Sequence, residues 1–151
     1  MNEKFMDRAI ALAHKAALRG EIPVGAVVVK DGEIIGEGYN RREELSSPSA
    51  HAEIMAIESA AKRLSDWRLS GCSLYVTLEP CPMCAGAIIN ARIDEVVFGA
   101  FDKRAGSCSA ESVANIFSLG YDQKPEVYGG IREAECKELL TEFFKERRQI
   151  M

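Results

Sequence analysis

The spacing of apolar residues along the chain predicts helices that alternate with strands. Within residues 3–19 apolar positions recur every three or four residues, which is typical of a helix with one buried face. Within residues 72–78 they alternate with polar positions, as in a strand. Together with the turn residues, the pattern predicts helices over residues 3–19, 50–64, about 80–91, 111–119 and 132–148, and strands over 26–30, 33–39, 72–78, 94–100 and 126–128.

The order of these elements predicts the fold class. Asp31-Gly32 joins the first two strands, and an Asp-Gly pair in this setting is a strong signal for a hairpin. After the hairpin, helices alternate with strands, an order that places helices on both faces of a sheet. We therefore expect an α/β protein with three layers, α/β/α, around a mixed five-stranded sheet. At 151 residues the chain is expected to form a single domain, residues 1–151.

Composition and charge narrow the possible partners. The net charge is −4 and the pI about 5.3, so no overall positive field attracts nucleic acid, and RNA binding would require a local basic patch. No apolar stretch approaches the roughly 18–20 residues of a membrane span, so no membrane partner is expected. Five cysteines, an odd number, and charges that interrupt the N-terminal apolar positions favour a reducing cytoplasm over secretion.

Two short segments carry the candidate chemistry: His51-Ala52-Glu53 and Pro80-Cys81-Pro82-Met83-Cys84. One imidazole and two thiolates are three protein ligands for a tetrahedral Zn²⁺, which leaves a fourth position for water, whereas structural zinc sites fill all four. His-x-Glu followed by Pro-Cys-x-x-Cys is the signature of zinc-dependent nucleobase deaminases. In that chemistry the metal lowers the pKa of bound water, and Glu53 would carry its proton to a ring nitrogen before ammonia leaves.

The predicted helices would bring these residues together. Cys81 and Cys84 are three apart at the start of a helix and share a face. His51 and Glu53 are two residues apart and do not share a helix face. They can therefore serve one site only if that site lies over the N-terminal end of their helix. Ser49 is the predicted N-cap there. Two helix N-termini directed at one metal would form an electropositive pocket that favours thiolates.

Each of these features also has a simpler interpretation. A Cys-x-x-Cys pair alone fits a redox dithiol or half of a four-ligand structural zinc site, and Glu53 alone fits a residue that only complements its helix dipole. One of only two histidines lies beside that glutamate, which favours the catalytic zinc. His14 is expected at the surface or core edge, and Cys72, Cys108 and Cys136 are expected to pack as small apolar side chains.

Basic residues near the predicted site are candidates for RNA contacts. Those in predicted loops fit solvated charge and phosphate contact equally well, and those at the end of the last helix also complement its dipole. The loop set is Arg41, Arg42, Lys103 and Arg104, and the helix set is Lys145, Arg147 and Arg148.

Segments beyond the metal motif resemble the bacterial tRNA-specific adenosine deaminases, a family within the cytidine-deaminase-like superfamily. The resemblance covers nearly the whole chain and includes residues 22–26, 36–40, 50–54, 75–81, 83–87, 97–100 and the final helix, 135–148. Two departures are Ser47-Pro48-Ser49, where the family usually has Asp-Pro-Thr, and Asp122-Gln123, where it commonly has Asn-His.

The resemblance implies a function and a set of site residues. It implies an enzyme that converts the wobble adenosine of a tRNA anticodon stem-loop to inosine, with one zinc per chain and Glu53 as the proton shuttle. Asn40 would hydrogen-bond the flipped-out base, and Asp102 would lie beside the sugar or backbone of the target nucleotide. The family is typically a homodimer whose partner chain helps to shape the RNA site. The zinc ligands would be His51, Cys81 and Cys84.

Three functions remain open from the sequence. The first is an RNA-editing adenosine deaminase, the second a small-molecule deaminase of a free base or nucleoside such as guanine or cytosine, and the third a non-catalytic binding module stabilised by zinc. The open coordination position and Glu53 argue against the third. The RNA-editing and small-molecule functions place different demands on the final segment. In a small-molecule deaminase this segment would close over the substrate, whereas in an RNA-editing enzyme it would form an open, basic rim.

Overall fold

The computed structural model describes residues 1–150 and shows an α/β fold built on one five-stranded sheet. β1 runs antiparallel to β2 and β3, whereas β3 is parallel to β4 and β4 to β5. The predicted mixed sheet is therefore confirmed. The strands are β1 (Gly25–Lys30), β2 (Glu33–Tyr39), β3 (Cys72–Leu78), β4 (Glu95–Ala100) and β5 (Glu126–Tyr128), in the order β2-β1-β3-β4-β5.

Helices cover both faces of the sheet. They are α1 (Lys4–Leu18), α2 (Arg42–Leu45), α3 (Ala52–Leu64), α4 (Pro82–Asn90) and α5 (Glu133–Ile150). Side chains alternate along β1: Ala26 and Val28 pack in one core cluster with α3 and α4, while Val27 and Val29 pack in another with α1 and Cys136 of α5. The three-layer architecture is thus confirmed. No helix within residues 1–150 combines the length and apolar character that a bilayer crossing requires.

The helix predicted over residues 111–119 is wrong. Only a short 3-10 turn, Ile116–Ser118, forms there, and the residues before it lie in an irregular loop. The hydroxyl groups of Ser109 and Ser112 hydrogen-bond each other and the carboxylate of Glu79. Serine side chains that find such partners compete with helix formation, and here the partner lies about thirty positions away in the sequence.

The N-terminus of α3 differs from the prediction in its cap. The expected N-cap, Ser49, does not cap the helix: α3 begins at Ala52, and His51 occupies the N-cap position. The Ser49 hydroxyl lies 3.3 Å from that of Ser47 instead. The first helical amide, at Ala52, donates to the side-chain oxygen of Asn40 at 2.9 Å. The side chain that caps α3 therefore belongs to Asn40, directly after β2. The segment between Asn40 and α3, which contains α2, turns back and brings the two together.

Close packing of α3 on β2 determines where this N-terminus lies. A Cβ on Gly38 would stand 2.4 Å from the carbonyl oxygen of Ala52, and one on Gly36 would stand 2.5 Å from that of Ala56. Neither position has room for a side chain, so the helix backbone lies directly on the strand. This contact holds His51 beside the end of β2.

Glu79 ties the loop after β4 to the end of β3. Its side chain is 3% exposed. One carboxylate oxygen accepts the amide of Asp102 at 3.0 Å, and the other accepts the amide of Cys108 at 2.9 Å. Residues 102–112, which we call the 102–112 loop, are thereby fixed to the segment that carries Cys81.

Replacing Glu79 with glutamine should loosen the 102–112 loop. The glutamine amide has one accepting oxygen, and its NH₂ group would face an N–H that the carboxylate accepted, so the amide of Asp102 or Cys108 loses its partner. In Glu79→Gln at least one of these two amides should exchange with solvent about tenfold faster, in line with an unpaired buried group.

Residue-resolved hydrogen exchange measures this effect. The amides of β4, which pair within the sheet, serve as an internal control and should keep their rates. Unchanged exchange at both Asp102 and Cys108 would show that the carboxylate does not hold the loop.

Candidate metal centre

Three side chains with metal-binding atoms meet at one point. Nδ1 of His51 lies 3.7 Å from Sγ of Cys81 and 3.6 Å from Sγ of Cys84, and the three atoms lie within 4.8 Å of one another. With Zn–S and Zn–N distances of about 2.3 and 2.0 Å, tetrahedral ligand atoms stand about 3.6 Å apart. The observed spacing therefore fits a tetrahedral zinc ion.

Two helix N-termini position these side chains. His51 is the N-cap of α3 and Cys81 the N-cap of α4, while Cys84 lies in the first turn of α4. Pro82 occupies the first turn of α4. Proline has no backbone N–H, and the N–H groups of the first turn have no partner within the helix, so no helical hydrogen bond is lost there. The positive ends of both helix dipoles therefore point toward the cluster, which favours thiolates.

The two thiols differ in acidity. Hydrogen bonds with Cys84 and His51 lower the pKa of Cys81 to about 4. The pKa of Cys84 is raised because its thiol donates to Cys81 and is buried. The hydrogen bond to Cys81 also raises the pKa of His51. The protein thus stabilises one thiolate by itself, and a metal cation would supply the charge that the second one needs.

Glu53 is buried beside this cluster. It lies in the first turn of α3, two residues after His51, and is 4% exposed. Burial raises its pKa to about 7, against the opposing effects of a backbone hydrogen bond and the charge of His51. A carboxyl group with a pKa near neutrality can both accept and release a proton at physiological pH, as a general acid/base must.

Asn40 and Asp102 use only part of their hydrogen-bonding capacity within the protein. Asn40 is buried, donates one N–H to the carbonyl of Ile22 at 3.0 Å and accepts the amide of Ala52. An amide has two donors and two acceptor lone pairs, so one of each is left. One carboxylate oxygen of Asp102 accepts the amides of Arg104 and Ala105, which shapes the start of the 102–112 loop and leaves the other oxygen free of these contacts.

The predicted basic residues separate into two groups. Arg42 and Arg147 line a cavity of about 320 Å³ together with Asn40, Phe143 and Phe144, and we call this the rim cavity. The guanidinium of Arg147 also donates to the carbonyl of Gly20 at 2.6 Å. Arg41 forms an ion pair with Glu44 nearby. The remaining candidates have exposed side chains outside the cavity lining: Lys103, Arg104, Lys145 and Arg148.

Two buried glutamates were not anticipated as site residues. Glu79 holds the 102–112 loop, and Glu21 accepts the amides of Glu43 and Glu44 at 3.1 and 2.9 Å, which fixes α2 beside the rim cavity. In the sequence each is a single charge next to an apolar strand segment and a proline. A carboxylate in such a setting indicates burial with specific donors, a signal that could have identified both.

The remaining cysteines and the second histidine lie where the sequence placed them. Cys72, Cys108 and Cys136 are buried in the core clusters, and His14 is exposed on α1. None of them joins the group formed by His51, Cys81 and Cys84.

Comparison with known proteins gives a consistent family. The model of the cytidine and deoxycytidylate deaminase zinc-binding region matches residues 1–100. The chain is 47% identical to the tRNA-specific adenosine deaminase of Bacillus subtilis (strain 168), over 98% of this chain and 91% of that protein. It is also 47% identical to the tRNA-specific adenosine deaminase of Aquifex aeolicus (strain VF5), over 97% of this chain and 95% of that protein.

Solved structures share the fold. A structure from a study of A-to-I editing by tRNA:A34 deaminases at the wobble position of transfer RNA superposes with a TM-score of 0.88 at 44% identity, covering 92% of this chain and all of the other. With this fold, the zinc-binding family model and nearly full-length relatives, the chain belongs to the bacterial tRNA-specific adenosine deaminases, a zinc-dependent family of the cytidine-deaminase-like superfamily.

Proposed function

We propose that this chain, as a single domain over residues 1–151, is a zinc-dependent hydrolytic deaminase that converts adenosine to inosine at the wobble position of a tRNA anticodon loop. The observation that carries the proposal is the triangle of His51, Cys81 and Cys84 with the buried carboxyl of Glu53 beside it. Three ligands leave a coordination position for water, and the relatives over nearly the full chain are tRNA-specific adenosine deaminases.

The side chains around the metal divide the chemistry between them. His51, Cys81 and Cys84 would hold the ion, which when bound lowers the pKa of a water molecule toward neutrality. Glu53 would take one proton from that water and deliver it to a ring nitrogen of the base, and would then pass the second proton, from the new hydroxyl, to the amino group. The water oxygen would thereby replace the amino group on the purine carbon as a carbonyl oxygen, and the amino group would leave as ammonia. Burial raises the pKa of the Glu53 carboxyl, which strengthens it as a proton acceptor.

Asn40 and Asp102 would orient the nucleotide. The unused N–H and lone pair of the Asn40 amide are available to the edge of a purine, and the same side chain caps α3 next to His51. The second carboxylate oxygen of Asp102 is available to the sugar or backbone of the target nucleotide. Both assignments place the base between the end of β2 and the 102–112 loop.

The rim cavity favours an RNA substrate over a free base. Its lining combines Arg42, Arg147 and the exposed aromatic ring of Phe144, which suit phosphates and stacked bases, with the carboxylates of Glu21 and Glu43. The final helix contributes Arg147 and Phe144 to this lining. We propose Lys103, Arg104, Lys145 and Arg148 as peripheral RNA contacts.

A small-molecule activity is the second candidate. A guanine deaminase structure from Bacillus subtilis is 48% identical over 67% of this chain and 66% of that one, with a TM-score of 0.65. Deaminases of the same superfamily thus differ in substrate while sharing much of the chain.

The proposal also includes a homodimer in the cytoplasm. Met83, one residue before Cys84 on α4, is 42% exposed and offers apolar surface to a second chain near the metal. The five free cysteines suit a reducing compartment.

Removing one thiolate should remove the metal. Cys81→Ala and Cys84→Ala each leave two protein ligands, too few to hold zinc tightly, so both should lose most of the one zinc per chain expected in the unaltered protein. Elemental analysis of purified protein measures this. Cys72→Ala, which removes a buried cysteine elsewhere, should keep its zinc. Full occupancy in both site variants would reject these ligands.

Glu53 should be separable from the ligands. Glu53→Gln should keep zinc but lose about 10²–10⁴-fold in turnover, because the amide cannot transfer the proton. Glu58→Gln, an exposed position on the same helix, should retain full turnover. If Glu53→Gln loses the metal, Glu53 is a ligand, and if it turns over normally, the carboxyl does not carry the proton.

The substrate itself can be tested directly. The protein should convert adenosine to inosine at the wobble position of an anticodon stem-loop and show little activity on free adenosine, guanine or cytosine, because an extruded loop base brings flanking stacking and phosphate contacts. Mass spectrometry of the RNA and an ammonia assay give the two readouts. Efficient deamination of free guanine or cytosine, with none on the stem-loop, would establish the small-molecule activity instead.

A further inference from the structure

Three cations surround the ring of Tyr39, which ends β2. Nζ of Lys15 lies 5.1 Å from the ring centroid, and the guanidinium carbons of Arg19 and Arg41 each lie 5.8 Å from it. Lys15 and Arg19 are four residues apart at the C-terminal end of α1 and therefore lie on the same side of the helix. We call these four residues the Tyr39 cluster.

The Tyr39 cluster carries more positive charge than its neighbours neutralise. One carboxylate, Glu44, accepts from both Arg19 and Arg41. Glu37, on β2, forms two hydrogen bonds with Arg8 and also interacts with the charge of Lys15, as Glu21 does with that of Arg41. The cluster is therefore a local positive patch on a chain whose net charge is −4.

The cluster lies next to the rim cavity on two sides. Tyr39 precedes Asn40, which lines the cavity and caps α3. Arg19 precedes Gly20, which also lines the cavity and accepts the hydrogen bond from Arg147. The cluster therefore adjoins the cavity both at Asn40 and at Gly20.

We propose that the Tyr39 cluster binds the phosphodiester backbone of the substrate RNA outside the target nucleotide, with Lys15 and Arg19 as phosphate contacts and the Tyr39 ring as the platform that holds their charged groups in place. The inference rests on the proposed function, because it names further contacts of the same RNA. Cation–π contact holds the like charges close to one ring, and phosphate would add negative charge to that of the nearby carboxylates. The acidic chain would thereby acquire a local site for RNA.

The salt dependence of binding tests the proposal. Each phosphate contact contributes about 0.9 to the slope of log K against log salt on a duplex and about 0.7 on a single strand. In the Lys15→Gln/Arg19→Gln double variant the slope for an anticodon stem-loop should fall by about 1.4–1.8, with KM raised and kcat at saturating RNA unchanged. Arg63→Gln, which removes an exposed cation paired with Glu33, should leave the slope unchanged.

Substitution of the ring separates a binding role from a structural one. Tyr39→Phe keeps the ring and should keep the slope, whereas Tyr39→Leu should lower it without loss of zinc. An unchanged slope in the double variant, or the same fall in Arg63→Gln, would overturn the proposal. Because the readout is binding, the expected fall in slope in the double variant, without inosine formation by the unaltered protein, would refute the proposed function while supporting the cluster.

Discussion

The convergence of two helix N-termini on one point is the constraint on which the structure of the site depends. α3 presents His51 as its N-cap, and α4 presents Cys81 at its N-cap and Cys84 one turn later. The strand glycines that allow α3 to lie directly on β2 fix this convergence, because any Cβ there would push the helix away. Metal binding, thiolate acidity and the burial of Glu53 all follow from that arrangement.

Buried polar side chains connect the surrounding loops to this centre. Asn40 caps α3, Glu21 holds α2, and Glu79 holds the 102–112 loop. A buried carboxylate without donors is costly, so each of these contacts selects one loop position. The loops that would meet the substrate are therefore anchored on the same elements that carry the metal ligands, which keeps base, shuttle and metal in a common frame.

Local patterns in the sequence identified most of the fold and the metal group. Helix periodicity, strand alternation and the Asp31-Gly32 turn are local signals, and Cys81 and Cys84 are close in the chain. The errors arose where residues distant in the sequence determine the local structure. Asn40, not Ser49, satisfies the first amide of α3, and Glu79 binds the serines of a segment that reads as a helix by itself. Likewise, Lys15 and Arg19 become candidate RNA contacts only in the folded chain, where both lie beside the ring of Tyr39.

X-ray absorption at the zinc edge tests the central claim, three protein ligands with one open position, most directly. The account predicts two sulfur ligands at about 2.3 Å and two nitrogen or oxygen ligands at about 2.0 Å, one from His51 and one from solvent. The same spectrum is expected in Glu53→Gln, since Glu53 is not a ligand. Three or more sulfurs, or a light ligand that disappears with the Glu53 carboxylate, would contradict it.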